Sequence, residues 1–256
     1  MKKSMKKVLL AVLALGVLAS CSCSGLNVKY SHTDPQAEEQ RSLTGFERIE
    51  LLGSLDVKYQ QADSFSVRVD APVDVLKKVE TRVEGNKLIV NMKGEGKIIN
   101  FGISDSENVT VYVTSPDFLG ITLRGSGDFE CQQLLDTDHL DIVLNGSGDI
   151  KFDDIICDQV DVSLVGSGDV DLKNVKMLRS YVNLVGSGDV KVNFDNSGMV
   201  EANLTGSGDI SLSGTVRKYK SNVRGSGDMH TDGLRIIEEK TETTTTTTSN
   251  TSITVK

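Results

Sequence analysis

Tryptophan is absent from this 256-residue chain, proline and histidine occur three times each, cysteine four times, and aromatic residues make up 5% of the whole. Grooves that cleave glycans are usually floored by aromatic platforms, so such a composition serves a glycan-active enzyme poorly and leaves it the runner-up class. His32, His139 and His230 lie far apart. They offer no metal-binding pair, and each reads as a solvated surface side chain. There is no CxxC spacing to suggest structural zinc, and no phosphate loop or nucleophile elbow. Nothing in the sequence calls for a cofactor, and the chain reads as non-catalytic.

What is present begins with an address. Lys2, Lys3, Lys6 and Lys7 precede an apolar run from Val8 to Leu18, the layout of a secretory signal. The run falls well short of the roughly 20 residues needed to cross a hydrocarbon core. It ends in Leu18-Ala19-Ser20-Cys21, which resembles the lipobox of bacterial lipoproteins. That resemblance implies cleavage before Cys21, acylation of its sulfur and amine, and a membrane held by more than one chain, which anchors where one chain is marginal. Removing residues 1–20 takes four lysines and no acids, leaving 24 basic against 36 acidic residues and a formal charge of −12. Such a balance disfavours nucleic acid as a partner. Of the other cysteines, Cys23 falls in the following polar stretch, and Cys131 and Cys157 sit at different phases of the repeat described next, where spacing gives a disulfide no positive support.

Gly-Ser-Gly-Asp begins at Gly125, Gly146, Gly166, Gly186, Gly206 and Gly225, six copies at nearly even intervals. A fixed period of about 20 residues means stacked units. Within a copy, parity gives the local structure, because a strand points alternate side chains to opposite faces. Leu140, Ile142, Leu144, Gly146, Gly148, Ile150 and Phe152 share one phase, and Asp141, Val143, Asn145, Ser147, Asp149 and Lys151 the other. The same phase recurs around Gly166 and Gly168, Gly186 and Gly188, Gly206 and Gly208; Gly125 and Gly127, and Gly225 and Gly227, occupy the same corner. Inward glycines let two short strands turn sharply around a narrow core, where a side chain would collide with the opposite wall. Each repeat therefore reads as strand, corner, strand and variable return segment: one coil of a three-sided parallel β-helix with about 20 residues per coil and coils about 4.8 Å apart. An antiparallel meander is the competing architecture, but hairpins reset register through their loops, whereas this pattern keeps its phase through the corner.

A worn copy precedes the six. Ile49, Leu51, Gly53, Leu55, Val57 and Tyr59 alternate inward around Gly53-Ser54-Leu55-Asp56, with Leu55 replacing the second glycine, which suggests a wider first coil. Further alternation at Phe65 to Val69, Leu88 to Met92 and Val109 to Val113 extends the β-helix over residues 44–237. Residues 21–43 read as a lipidated tether and 238–256 as a threonine-rich tail, mostly disordered.

The six repeats after a lipoprotein signal, with the opening Gly45-Phe46-Glu47-Arg48-Ile49, resemble the auto-transporter adhesin head (GIN) domain family of Bacteroidetes-type bacteria. That resemblance implies an all-β, right-handed parallel β-helix (β-solenoid) on exported proteins, and a name that points to adhesion. Stacking puts Asp128, Asp149, Asp169, Asp189, Asp209 and Asp228 in one outward row, where like charges repel by about 1 kcal/mol per pair in water. Each carboxylate is expected to accept corner N–H groups or the neighbouring serine hydroxyl; a calcium ladder and a stripe for a cationic partner are the alternatives. Outward Val143, Val165 and Val185 hint at an apolar stripe. The reading is a cell-envelope, outer-membrane lipoprotein, with the face of the membrane open. Its solenoid serves as an adhesion scaffold for envelope or host protein or glycan; a purely structural lipoprotein is the alternative.

Overall fold

A computed structural model describes residues 35–93 and 109–237, all within one compact unit. The signal, Cys21, Cys23 and the threonine-rich tail lie outside the described residues. In chain order the elements are β1 (Gln36–Arg41), β2 (Arg48–Gly53), β3 (Asp56–Gln61), β4 (Ser66–Pro72), the single turn α1 (Val73–Leu76), β5 (Val79–Glu84), β6 (Lys87–Met92), β7 (Thr110–Ser115) and β8 (Gly120–Gly125). The regular coils follow as β9 (Phe129–Gly146), β10 (Asp149–Gly166), β11 (Asp169–Lys176), β12 (Arg179–Gly186), β13 (Asp189–Gly206), β14 (Asp209–Gly225) and β15 (Met229–Ile236).

Pairing from β8 to β15 is parallel throughout, and equivalent residues face each other: Ile150 lies beside Val170, which lies beside Val190, and then Ile210. The molecule is thus a β-solenoid in which each corner stacks on the corner of the coil before it. A first wall runs up to the corner glycines, a second runs away from them, and a third begins where the register shifts, between Phe152 and Asp154 in one coil and between Leu172 and Val175 in the next. Inward side chains stack on their own kind: Leu144, Leu164, Leu184 and Leu204 are all fully buried. Near the start of the stack Tyr59, Phe118, Phe129 and Phe152 form a buried aromatic column, with the Tyr59 and Phe118 rings 4.2 Å apart.

Three details depart from the sequence reading. First, the copy at Gly53 is in register with the others, Gly53 lying opposite Gly125 despite the long segment 54–124 between them. That segment returns to the open end of the stack and continues both walls: β6 pairs parallel to β2, and β7 parallel to β3. Leu55 needs no wider coil, because among the described residues no glycine corner lies beneath it; it is fully buried at the last corner of the column. Second, β1 lies within residues 21–43, assigned above to the tether. It pairs antiparallel to β4, which pairs antiparallel to β7, while β5 covers β6 in the same way. Switching from parallel to antiparallel ends the stack on short, charged edge strands, the usual protection of a sheet edge. Third, the corner glycines are excluded from carrying side chains by the coil below, not by the opposite wall.

Candidate interaction surface

The repeat corner is a column of backbone. The first glycine of each of the six Gly-Ser-Gly-Asp corners has φ between +132° and +151°, and Gly53 has +92°, a region side chains disfavour. A Cβ on the second glycine would stand about 2 Å from a carbonyl oxygen one coil back: 2.1 Å from Gly148 at Gly168, 2.0 Å from Gly168 at Gly188. What forces the coils so close is hydrogen bonding. At every step from Gly53 to Gly206 the first glycine's carbonyl accepts the serine N–H of the next coil at 2.9 Å. Ser126, Ser147, Ser167, Ser187, Ser207 and Ser226 therefore serve the corner through their backbone and leave their side chains exposed.

Outside this column the aspartates form a second ladder. Asp56 Oδ1 accepts the backbone N–H of Asp128 at 3.0 Å, Asp128 that of Asp149 at 3.0 Å, Asp169 that of Asp189 at 3.0 Å, Asp189 that of Asp209 at 3.2 Å and Asp209 that of Asp228 at 2.9 Å. One step differs, Asp169 N–H donating to the Gly148 carbonyl. The carboxylates of Asp56, Asp128, Asp169, Asp189 and Asp209 thus each face a peptide dipole, which offsets the repulsion along the row, while Asp149 is held by Lys151 at 2.9 Å. At the first step of the row the balance reverses: desolvation pushes the Asp56 carboxyl above its ordinary range, more than the Asp128 N–H lowers it.

Two positions past each aspartate, the second wall carries a column the sequence reading did not pick out. Lys58, Glu130, Lys151, Asp171, Lys191, Ser211 and His230 are successive neighbours across the coils. The sign of charge alternates from Lys58 to Lys191, so Glu130, Lys151 and Asp171 each lie between two opposite charges. The signal was present in the sequence but visible only with the register known.

The first wall differs in character. Its outward columns are Thr122, Val143, Ser163, Asn183 and Asn203, and beside them Asn145, Val165, Val185 and Thr205. Val165, Val185 and Tyr181 are 45%, 38% and 40% exposed; Val143 is half-buried. Near the start of this wall His139 is not isolated, as the sequence suggested, but 2.7 Å from Asp141 and 3.8 Å from Asp161, while Arg48 reaches Asp141 from the other side at 2.7 Å. His230 similarly stands 3.6 Å from Asp209. Three-ligand groupings among the described residues are His139–Asp141–Asp161 and Asp209–Asp228–His230, the latter holding two of the six row aspartates.

Cys131 and Cys157 are buried and unpaired, in different columns, opposite Phe152 and Thr137. Burial pushes their thiols up to about 11 and about 12, so neither is a nucleophile at neutral pH. Two grooves among the described residues are small, one of about 330 Å³ beside Asp171, Lys191 and His230 and one of about 190 Å³ beside Tyr112 and Glu130.

Comparison with known proteins places this surface in a family. A crystal structure of a "putative adhesin" from Bacteroides fragilis superposes with a TM-score of 0.62 at 20% identity, covering 77% of this chain and 96% of that one. A "putative lipid binding protein" from Parabacteroides distasonis gives 0.53 at 21%, covering 78% and 97%. A "putative adhesin" from the same species gives 0.52 at 15%, covering 77% and 97%. At these identities they share the fold. No protein of curated function matches the chain. Residues 45–174 and 170–256 match the family described as "putative auto-transporter adhesin, head GIN domain", and the chain belongs to that family.

Proposed function

We propose that the chain is a cell-envelope lipoprotein, held to the outer membrane through acylated Cys21, and that its solenoid is a non-catalytic scaffold for adhesion to envelope or host protein or glycan. In this reading residues 1–20 are removed and the stretch from Cys21 to β1 is the tether. The observation that carries it is the first wall, where Val165 and Val185 stand exposed on a parallel sheet beside columns of asparagine, serine and threonine, and Tyr181 stands exposed between Asp161 and Glu201. Parallel strands are normally covered on both faces. An exposed parallel face with apolar side chains is a surface for contact, and its regular pitch suits a ligand that is itself repetitive. The adhesin description of the family, and the names of its structural neighbours, support the same role. The acidic mature charge disfavours nucleic acid as that ligand.

Two measurements test the reading. Palmitate labelling and fractionation of cells should show the chain in the membrane, with Cys21→Ala releasing it; a soluble wild-type chain would refute the anchor. The Cys21→Ala chain, applied to arrays of envelope and host glycans and extracellular proteins, should bind a subset, and Val165→Ser/Tyr181→Ser/Val185→Ser should weaken that binding at least tenfold with the fold intact. Absence of any ligand, or equal binding by the triple variant, would favour a structural lipoprotein with no dedicated partner.

A further inference from the structure

At the start of the stack the first wall ends on β5. It pairs with β6 alone, and among the described residues no strand lies against its other side. The backbone groups that face this open side follow from the hairpin. Glu84 and Lys87 flank a two-residue turn and so form a hydrogen-bonded pair. At the far end the Lys93 N–H donates to the Lys78 carbonyl at 2.8 Å. The even-numbered residues of β5 therefore bond to β6, and Val79, Thr81 and Val83 turn their N–H and C=O groups away from it. Of the five buried side-chain polar atoms with no partner among the described residues, three lie at this end: Arg41 Nε, Thr81 Oγ1 and Asn91 Oδ1. Buried polar groups are normally satisfied, so the orphans mark an end that takes a further partner.

The side chains of β5 select its partner. Thr81 and Val83 lie opposite the fully buried Val90 and Leu88, which puts the odd positions on the inward face and Glu80, Arg82 and Glu84 on the outward one. There Arg82 holds Glu84 at 2.6 Å and Glu80 at 3.6 Å. Laid antiparallel against a second copy of itself with Thr81 opposite Thr81, the strand sets Glu80 opposite Arg82 twice and Val79 opposite Val83 twice. The same register brings the open backbone groups of Val79, Thr81 and Val83 together as hydrogen-bonded pairs. It also brings the two Thr81 hydroxyls side by side, each able to donate and to accept. The neighbouring registers that keep those backbone bonds put Glu80 opposite Glu80, or Arg82 opposite Arg82, and like charges directly opposite are destabilising. Charge thus leaves one register.

We propose that β5 is a self-association edge, through which two copies join antiparallel about a two-fold axis at Thr81 and carry their first walls into one continuous sheet. Such an interface is isologous and closed, and the charges that guard β5 against a foreign edge admit its own copy. The test is sedimentation of the Cys21→Ala chain over a range of concentrations, beside Glu80→Arg, Arg82→Glu and Thr81→Pro made in it. Proline at 81 removes an N–H that β6 does not use, so the hairpin stays. The parent should form a dimer, and each variant should weaken it about tenfold or more with unchanged circular dichroism. An equimolar mixture of Glu80→Arg and Arg82→Glu should associate as tightly as the parent, because each like-charge contact then becomes an opposite one. Hydrogen exchange at Val79, Thr81 and Val83 should slow as the parent's concentration rises. A parent that stays monomeric at every concentration overturns the proposal, as does a mixture that associates no better than its components. Protection of β5 that is independent of concentration also overturns it, since a segment of the same chain would then cover the edge. So does protection that grows equally over Lys218–Gly225, which would make the contact head to tail.

Discussion

At Gly168 an added Cβ would sit 2.1 Å from the carbonyl oxygen of Gly148, a backbone atom that also belongs to the corner stack and has no rotamer by which to give way. Gly168→Val should therefore destabilise the chain by about 3 kcal/mol or more, at or above the upper end for overpacking, because the whole column must shift. Ser167 is its neighbour in sequence but points to solvent, so Ser167→Val should fall within about 0.5 kcal/mol of wild type. Denaturant melts of the two variants decide the matter: an undiminished midpoint for Gly168→Val would sink the stacked-corner account, and an equal loss in both would mean that the corner resists any change. The same residue pair explains why the motif is invariant across the six copies while its flanks vary. Ser126 to Ser226 contribute N–H groups at 2.9 Å, a service that most residues could give, whereas the second glycine is fixed by a distance.

At the level of strands, the alternating column of the second wall makes a prediction that single residues do not. Lys151 lies between Glu130 and Asp171 and also holds Asp149 at 2.9 Å. Lys151→Glu would line up three carboxylates in the column, at positions 130, 151 and 171, with Asp149 close by, and should cost about 1 kcal/mol. Glu130→Lys combined with Lys151→Glu should recover part of that loss, and a double-mutant cycle measured by thermal melting at low salt would show the coupling; strict additivity would mean that the column contributes nothing. This column also marks how far the sequence could be read. Parity named the inward face correctly because apolar burial writes itself into every second residue, and Leu144, Leu164, Leu184 and Leu204 are all fully buried as that pattern requires. Features that depend on which coil lies beside which were not legible. β6 and β7 attach to β2 and β3 by returning over a long excursion, and no local signal specifies that return. β1 is polar at every position but Ala37, so its strand character comes from pairing with β4, with no apolar core face to betray it. His139, Asp141 and Asp161 meet across two coils, and a list of isolated histidines could not anticipate that.

Taken whole, the molecule is a quasi-one-dimensional stack between two different ends, and its stability should behave as a sum over coils and the interfaces between them. β9 to β14 are interchangeable in register: Gly146, Gly166, Gly186 and Gly206 fall in one column, as do Ile150, Val170, Val190 and Ile210. Deleting residues 167–186 removes one full turn and joins Gly166 to Ser187, so that the next corner can stack on Gly146 through the bonds that Ser167 now makes. The antiparallel closure by β1, β4 and β5 and the last coil at β14 and β15 are left untouched. The shortened chain should fold cooperatively, keep its β-sheet circular dichroism and melt several degrees lower, since one interface has been lost from the sum. Removing an equal length, 73–92, should instead abolish folding, because it takes away β5 and β6, which cover the β2 edge. If the coil deletion were the one that failed, cooperativity would have to reside in contacts that skip coils, and the parallel neighbours alone could not account for the fold.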